Sequence, residues 1–116
     1  MKPESIIQRD VRKYLTKLGL TSVSVPNGSH LAGDKLARIK QVSAMKADGM
    51  LPGFPDLMVL GSHGRTGYLE VKTPKGGVSQ AQANVKAMLE RMGHNVAIVR
   101  SVEDTREALK QWGWLG

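Results

Sequence analysis

The sequence has no cysteine, three isolated histidines and no long apolar run. Without cysteine, a disulfide scaffold, a cysteine-ligated zinc, an iron–sulfur cluster and a cysteine nucleophile are all excluded. His30, His63 and His94 are scattered and never paired at helical spacing. The longest apolar runs have four residues, so no segment is expected to span a membrane. The N-terminus carries charges where a signal peptide needs an apolar stretch, and we therefore expect a cytoplasmic protein.

The sequence is rich in basic residues and has enough apolar residues for one hydrophobic core. The 116 residues, 41% of them hydrophobic, predict a single domain over residues 1–116. Lys and Arg number 17 against 10 Asp and Glu, so the net charge is +7. Residues 1–46 carry +6 of this charge and residues 47–116 carry +1. A small domain this basic is typical of proteins that bind a polyanion, with nucleic acid favoured over an anionic membrane.

Hydrophobic periodicity, caps and turn residues predict an α/β protein. The predicted helices cover residues 3–18, 34–47, 79–92 and 102–112, and the predicted strands cover 22–25, 56–60, 68–73 and 95–99. A short glycine-rich segment joins the second and third strands as a hairpin. This order predicts a small mixed β-sheet flanked by helices. Residues 20–50 have the weakest secondary-structure signals in the chain.

Glu4 is predicted to lie in the middle of the apolar stripe of the first helix. At 100° per residue, Val11 and Leu15 fall about 20° to either side of it. A charge at that position is costly unless it is paired or bound to a metal. The alternative is that Glu4 interacts with the helix dipole and reaches solvent at the helix end.

Two more carboxylates fall on the predicted hairpin. Asp56 follows Pro55 and opens one strand, where alone it would be interpreted as a turn residue. Glu70 and Lys72 lie two residues apart on the other strand and therefore share a face of the sheet. Alone, this pair would be interpreted as part of a solvated face.

Taken together, these residues predict a metal site. Two carboxylates on neighbouring strands repel each other and raise each other's pKa unless a cation lies between them. Oxygen ligands without histidine or cysteine favour Mg²⁺ or Mn²⁺. The Val71 carbonyl is a further candidate ligand, and Glu4 could complete the coordination directly or through water. With Lys72 beside the metal, this set is suited to metal-assisted phosphodiester hydrolysis.

The motifs resemble those of the VRR-NUC family, which belongs to the PD-(D/E)xK nuclease superfamily. They are Gly-x-Pro-Asp at 53–56, Glu-Val-Lys-Thr-Pro-Lys-Gly at 70–76 and Ser-x-x-Gln at 79–82. The resemblance runs from about Glu4 to Trp112, is specific in residues 53–82 and is vague across residues 20–50. It implies a restriction-endonuclease-like fold. The active-site residues that it implies are Glu4, Asp56, Glu70, Lys72 and Gln82.

The short, stand-alone form is similar to phage and bacterial members of that family. This similarity implies a homodimer that acts on branched DNA such as four-way junctions. If the chain is phage-encoded, the cytoplasm in question is that of the host cell.

Gln82 has two interpretations. Ser79 and Gln82 have the spacing of a capping box, in which the glutamine side chain returns to the Ser79 backbone amide. Given the resemblance, we expect Gln82 to contact the active site or the attacking water, and Ser79 to cap the helix alone.

Basic side chains are the candidates for contacts with DNA phosphates. The candidates are Lys75, Arg9, Arg12, Lys35, Arg38 and Lys40. Lys75 precedes a predicted helix N-terminus, which is a common place for phosphate binding, although a flexible connector explains it equally well. The alternative for Arg9 and Arg12 is that they simply form the solvent-exposed side of the first helix, as basic residues on a helix ordinarily do.

The sequence therefore predicts a metal-dependent endonuclease. Asp56, Glu70, the Val71 carbonyl and Glu4 would bind Mg²⁺ or Mn²⁺, and Lys72 would orient the nucleophile or stabilise negative charge. One alternative is a non-catalytic nucleic-acid-binding module in which the same acidic cluster is structural. Another is a domain that binds small phosphates through residues 75–77, although the P-loop pattern is missing.

Overall fold

The computed structural model of the chain describes residues 2–27 and 33–115. Its elements in chain order are α1 (Glu4–Lys17), β1 (Thr21–Ser24), α2 (Lys35–Ala47), β2 (Leu57–Leu60), β3 (Thr66–Val71), α3 (Gln80–Arg91), β4 (Asn95–Val99) and α4 (Val102–Gln111). The predicted α/β architecture is confirmed, and it is consistent with a restriction-endonuclease-like fold.

The four strands form one mixed sheet in the order β1-β2-β3-β4. β2 is antiparallel to both β1 and β3, whereas β4 is parallel to β3. A parallel pair needs a crossover, which α3 supplies. The predicted hairpin of β2 and β3 is confirmed, and its turn includes His63 and Gly64, both at positive φ.

Strand β3 is shifted relative to its prediction. It begins two residues earlier, because Thr66 and Gly67 pair with Leu60 and Val59 although they belong to a turn-like segment of the sequence. It ends at Val71 because the chain turns soon afterwards, where the Gly76 N–H donates to the Thr73 carbonyl. Lys72 therefore lies just beyond β3 and not within a longer strand.

The main core lies between one face of the sheet and helices α1 and α4. The α1 residues Ile7, Val11 and Leu15 are buried there. A smaller cluster forms around α3 and β4, where Val85 and Val96 are buried. Both sides of the sheet at β3 and β4 are thus supported by helices, and this support fixes the ends of the strands that carry the acidic residues.

Helix α2 differs from the other helices. The Asp34 carboxylate caps it by accepting the Ala37 N–H at 2.8 Å, as its sequence predicts. It buries no residue completely, and Leu36 and Ile39 are 61% and 52% exposed. Within residues 2–27 and 33–115, no other helix or strand packs against it. Its local sequence therefore accounts for the helix, but the rest of the described chain does not support it.

Candidate active site

The hairpin places Asp56 and Glu70 across from each other. Leu57 is paired with Leu69, so the residue before Leu57 faces the residue after Leu69. The Val71 backbone N–H donates to Asp56 Oδ2 at 2.8 Å, which draws the carboxylate onto β3. Asp56 lies just before β2 and does not open it, contrary to the prediction. The two carboxylates nevertheless share one end of the hairpin.

Glu70 is almost wholly enclosed although it carries an ionisable group. Its residue is only 4% exposed. Burial raises the pKa of its carboxyl from 4.5 to about 8, and a hydrogen bond with Asp56 and the Asp56 charge act in the same direction. The Lys72 charge acts in the opposite direction. Without a cation, the pair is therefore accommodated by a proton on Glu70 at neutral pH.

Lys72 follows β3 directly and is held by its backbone. Its N–H donates to the Val99 carbonyl at 3.0 Å, continuing the parallel pairing of β3 with β4 by one residue. Its side chain is half-buried, and it forms no ion pair with a carboxylate of the described residues. Because its charge lowers the pKa of Glu70, the ammonium group acts electrostatically on that carboxyl.

Gln82 both contacts a predicted active-site residue and caps the helix, the two interpretations that the sequence offered for it. Its Nε2 donates to Glu70 Oε1 at 3.0 Å. Its Oε1 accepts the Ser79 backbone N–H at 2.9 Å, and its own N–H donates to Ser79 Oγ at 3.1 Å. The expectation that Ser79 caps the helix alone is therefore wrong. The two ends of one amide can serve both partners, because one is a donor and the other an acceptor.

Glu4 is half-buried in the first turn of α1, next to the stripe of Ile7, Val11 and Leu15. Its charge makes the smallest of the contributions that raise the pKa of Glu70. Histidine and acidic side chains do not form a cluster of three suited to a metal anywhere in the two described ranges. Glu4 is therefore an electrostatic neighbour of the acidic pair, and its role as a metal ligand stays a prediction.

Gly53 explains how the loop before Asp56 reaches α3. Its φ is +85°, and a Cβ atom there would lie 2.5 Å from the backbone carbon of Ala81 and 2.8 Å from the Gln82 nitrogen. Only glycine permits both the left-handed conformation and this close approach. The contact brings the segment that carries Asp56 against the turn that carries Gln82.

Two polar residues that the sequence analysis missed hold parts of this region. Asn27 Nδ2 donates to Asp56 Oδ1 at 3.1 Å and to the Phe54 carbonyl at 3.2 Å. No spacing rule joins residues 27 and 56, since their proximity arises from the pairing of β1 with β2. Arg100 Nη1 donates to the carbonyls of Thr73 and Gly76 at 2.6 and 2.7 Å. Its position directly after the buried strand beside β3 was the signal that could have identified it.

The candidate DNA-contacting residues lie on three different elements of the chain. Arg9 and Arg12 are exposed on α1 and line a groove together with Glu4. Lys75 is exposed in the loop between β3 and α3. The remaining three, Lys35, Arg38 and Lys40, are exposed on α2. The α1 pair thus shares a surface with Glu4, one of the predicted active-site residues.

Comparison with known families gives one match of nearly full length. The family model described as the VRR-NUC domain matches residues 1–103. No curated protein matches the chain. No helix in residues 2–27 or 33–115 is long and apolar enough to cross a membrane.

Proposed function

The chain belongs to the VRR-NUC family of PD-(D/E)xK-type nucleases, and we propose that it is a metal-dependent endonuclease whose catalytic residues are Asp56, Glu70, Lys72 and Gln82. One observation carries this proposal: the hairpin sets two carboxylates across from each other, and the Lys72 ammonium group acts electrostatically on one of them, Glu70. A buried carboxylate next to a second carboxylate, with no cation between them, is unfavourable for the fold alone. A cation that binds between the two groups removes that cost.

The donor chemistry fits a hard divalent cation. The carboxylates of Asp56 and Glu70, the Val71 carbonyl and Glu4 would hold Mg²⁺ or Mn²⁺, since all of these donors are oxygen atoms. When bound, such an ion lowers the pKa of a water molecule and offsets the charge of a scissile phosphate. The proton held by Glu70 at neutral pH would have to leave on binding.

The side chains of the chain itself supply the rest of the chemistry. Lys72 would place its positive charge against the phosphate oxygens and stabilise the negative charge that develops during hydrolysis. Gln82 fixes the Glu70 carboxylate through the 3.0 Å hydrogen bond and is itself fixed by the helix cap. The Val71 N–H restrains Asp56 from the other side of the pair. These groups are expected to act as one unit, so that losing one disables the others.

The surface of α1 supports DNA as the substrate. The groove that contains Glu4 also contains Arg9 and Arg12. A phosphate backbone lying in this groove would meet two cations on its way to the acidic pair, and such contacts give most of the affinity for DNA. Lys75 and the three basic residues of α2 would extend this contact.

We further propose a homodimer that acts on branched DNA such as four-way junctions. Leu36 and Ile39 on α2, and Val23 and Leu60 on β1 and β2, are exposed apolar side chains that a second copy could cover. A two-fold dimer would present two active sites to two DNA strands. A monomeric mass by light scattering at the enzyme concentrations that cleave DNA would overturn the dimer.

A cleavage assay tests the function. Wild-type protein would be incubated with linear, flapped, forked and four-way DNA in Mg²⁺, Mn²⁺ or EDTA. We expect metal-dependent cleavage that is fastest on the four-way substrate. The variants Lys72→Ala and Asp56→Asn should lose about 100-fold or more of the rate.

Lys86→Ala is the matched control, since Lys86 lies on α3 and its ammonium group is already paired with Glu90. It should cleave like the wild type. Folded protein that binds DNA but cleaves none of the substrates in any metal would overturn the catalytic proposal. That result would leave a nucleic-acid-binding module.

A further inference from the structure

We propose that Asn27, which lies outside every sequence motif, is a positioning residue that holds Asp56 in the orientation needed to bind a divalent cation. The inference rests on the proposed function, because it concerns the same acidic pair. It adds a residue and a structural element to the site. That element is the segment after β1, comprising Val25, Pro26 and Asn27, which we call the β1 extension.

The β1 extension makes two of the hydrogen bonds that fix Asp56. The Val25 N–H donates to the Asp56 carbonyl at 2.9 Å, which holds the backbone. Asn27 Nδ2 donates to Oδ1 at 3.1 Å, which holds one carboxylate oxygen. A third bond comes from the Val71 N–H to Oδ2 at 2.8 Å. Each oxygen therefore accepts one of these N–H bonds and keeps lone-pair capacity for a cation.

Asn27 also fixes the bend of the chain that leads to Asp56. The same Nδ2 donates to the Phe54 carbonyl at 3.2 Å, so that one amide group bridges the two residues on either side of Pro55. The direction of the amide follows from chemistry, because both partners are acceptors and only the NH₂ end can donate to them. A side chain without that donor cannot replace either bond.

This restraint matters because a metal ligand must keep its orientation. Glu70 lies across the hairpin from Asp56, and a cation shared by the two carboxylates requires each of them to be held in place. The terminal torsion of an aspartate is broad, so an unrestrained carboxylate rotates easily. With Asn27 and Val71 donating to opposite oxygens, Asp56 keeps one orientation whether or not a cation is present.

The expected result of removing this bond is a weaker metal site in a folded protein. Hydrogen-bond partners of metal-ligating groups typically contribute about 10- to 100-fold to metal affinity. We therefore expect the dissociation constant of Mn²⁺, measured without DNA by calorimetry or by electron paramagnetic resonance of free Mn²⁺, to rise about 10-fold or more in Asn27→Ala. Asn27→Leu, which keeps the approximate size of the side chain but lacks the donor, should weaken Mn²⁺ binding to the same extent.

Two controls separate the inference from the proposed function. Asn84→Ala removes an exposed asparagine whose side chain accepts a hydrogen bond from Gln80 on α3, and it should bind Mn²⁺ like the wild type. Asp56→Asn should abolish Mn²⁺ binding. DNA affinity in EDTA should be the same for the wild type, the Asn27 variants and Asn84→Ala, since Asn27 acts through Asp56 and not on the phosphates.

The possible results are distinct. Unchanged Mn²⁺ affinity in either Asn27 variant, with cooperative thermal unfolding showing that the variant is folded, would overturn the role of Asn27 while leaving the metal site intact. A wild-type protein that binds no Mn²⁺, or an Asp56→Asn variant that binds it equally well, would overturn the proposed function together with this inference. Weakened binding in both Asn27 variants, with wild-type affinity in Asn84→Ala, would support the inference.

Discussion

Two regions of this chain are built in different ways. Around the acidic pair, the two carboxylates are held by residues distant in sequence: Asp56 by Asn27 and by β3, and Glu70 by α3. The loop after Lys72 is held by Arg100. Helix α2 has a good cap and a regular backbone, but no described helix or strand packs on it. A nuclease site needs fixed geometry, whereas a basic helix that meets DNA or a second copy does not. If the proposed DNA contact or homodimer forms, α2 would gain its tertiary contacts there.

Glycines at positive φ give the largest expected difference between the two regions. Gly53 and Gly49 have φ values of +85° and +106°, but only Gly53 has backbone atoms where a Cβ would lie. Gly53→Ala should cost about 2–6 kcal/mol, because strain and overpacking each contribute about 1–3 kcal/mol. Gly49→Ala should cost about 1–2 kcal/mol from strain alone. Urea unfolding of both variants measures this, and equal costs would mean that α3 moves aside without penalty.

A buried and an exposed leucine test the difference in packing between the core and α2. Leu109 on α4 is 0% exposed, whereas Leu36 on α2 is 61% exposed. Leu109→Ala should lower the free energy of unfolding by about 2–5 kcal/mol, because it removes buried surface and leaves a cavity. Leu36→Ala should change it by no more than about 0.5 kcal/mol at a concentration where the protein is monomeric. A large decrease in Leu36→Ala under that condition would show that α2 is supported within its own chain.

The pH dependence of stability probes the acidic pair directly. The folded pKa of Glu70, about 8, is above its ordinary value of 4.5, so the folded protein binds a proton that the unfolded chain releases between those values. The stabilisation from that proton is complete below pH 4.5 and is lost as pH rises to about 8. In EDTA, the free energy of unfolding should therefore fall between about pH 6 and pH 8, by up to about 3 kcal/mol.

Glu70→Gln is the control for that pH series. Glutamine has the shape of the protonated acid but does not titrate, so the slope over the same pH range should flatten. Saturating Mg²⁺ should also oppose the loss of stability in the wild type, because the ion binds the folded protein and replaces the proton. A slope that is the same in wild type and Glu70→Gln would assign the pH dependence to another group.

The smallest effects are expected from the charges of α2. Replacing Lys35, Arg38 or Lys40 singly by alanine should weaken DNA binding a few-fold in EDTA. The slope of log K against log salt should become shallower by about 0.9 for each phosphate that the replaced side chain neutralises. Arg91→Ala is a matched control, since Arg91 is exposed at the opposite end of α3 from Gln82. Salt slopes that match the wild type in all three variants would exclude α2 from the DNA interface.

The same contrast explains what could be predicted from the sequence. The helices and the hairpin follow from local signals, namely caps, glycines at helix ends and apolar periodicity, and these signals agree with the tertiary structure. The facing of Asp56 and Glu70 follows from a short hairpin whose register is fixed by buried Leu57 and Leu69. Local spacing was enough to find these two residues.

What could not be predicted depends on contacts between distant segments. Asn27 reaches Asp56 only because β1 pairs with β2, and Arg100 reaches the 73–76 loop only because β4 lies beside β3. The double role of Gln82 requires Glu70 on β3 to lie within reach of the first turn of α3. These residues are far apart along the chain, and even Glu70 and Gln82 are separated by 12 positions. Hydrophobic periodicity predicts helices and strands but not which distant residues come into contact.

The most direct test is to locate the cation. Crystals of the wild-type protein and of Asp56→Asn would be soaked in Mn²⁺, and the anomalous difference map would be calculated for each. We expect a peak between the Asp56 and Glu70 carboxylates, within coordination distance of the Val71 carbonyl, and no such peak in the variant. A map with no peak there in the wild type, or with Mn²⁺ held by other residues, would contradict the assignment of this hairpin as the catalytic metal site.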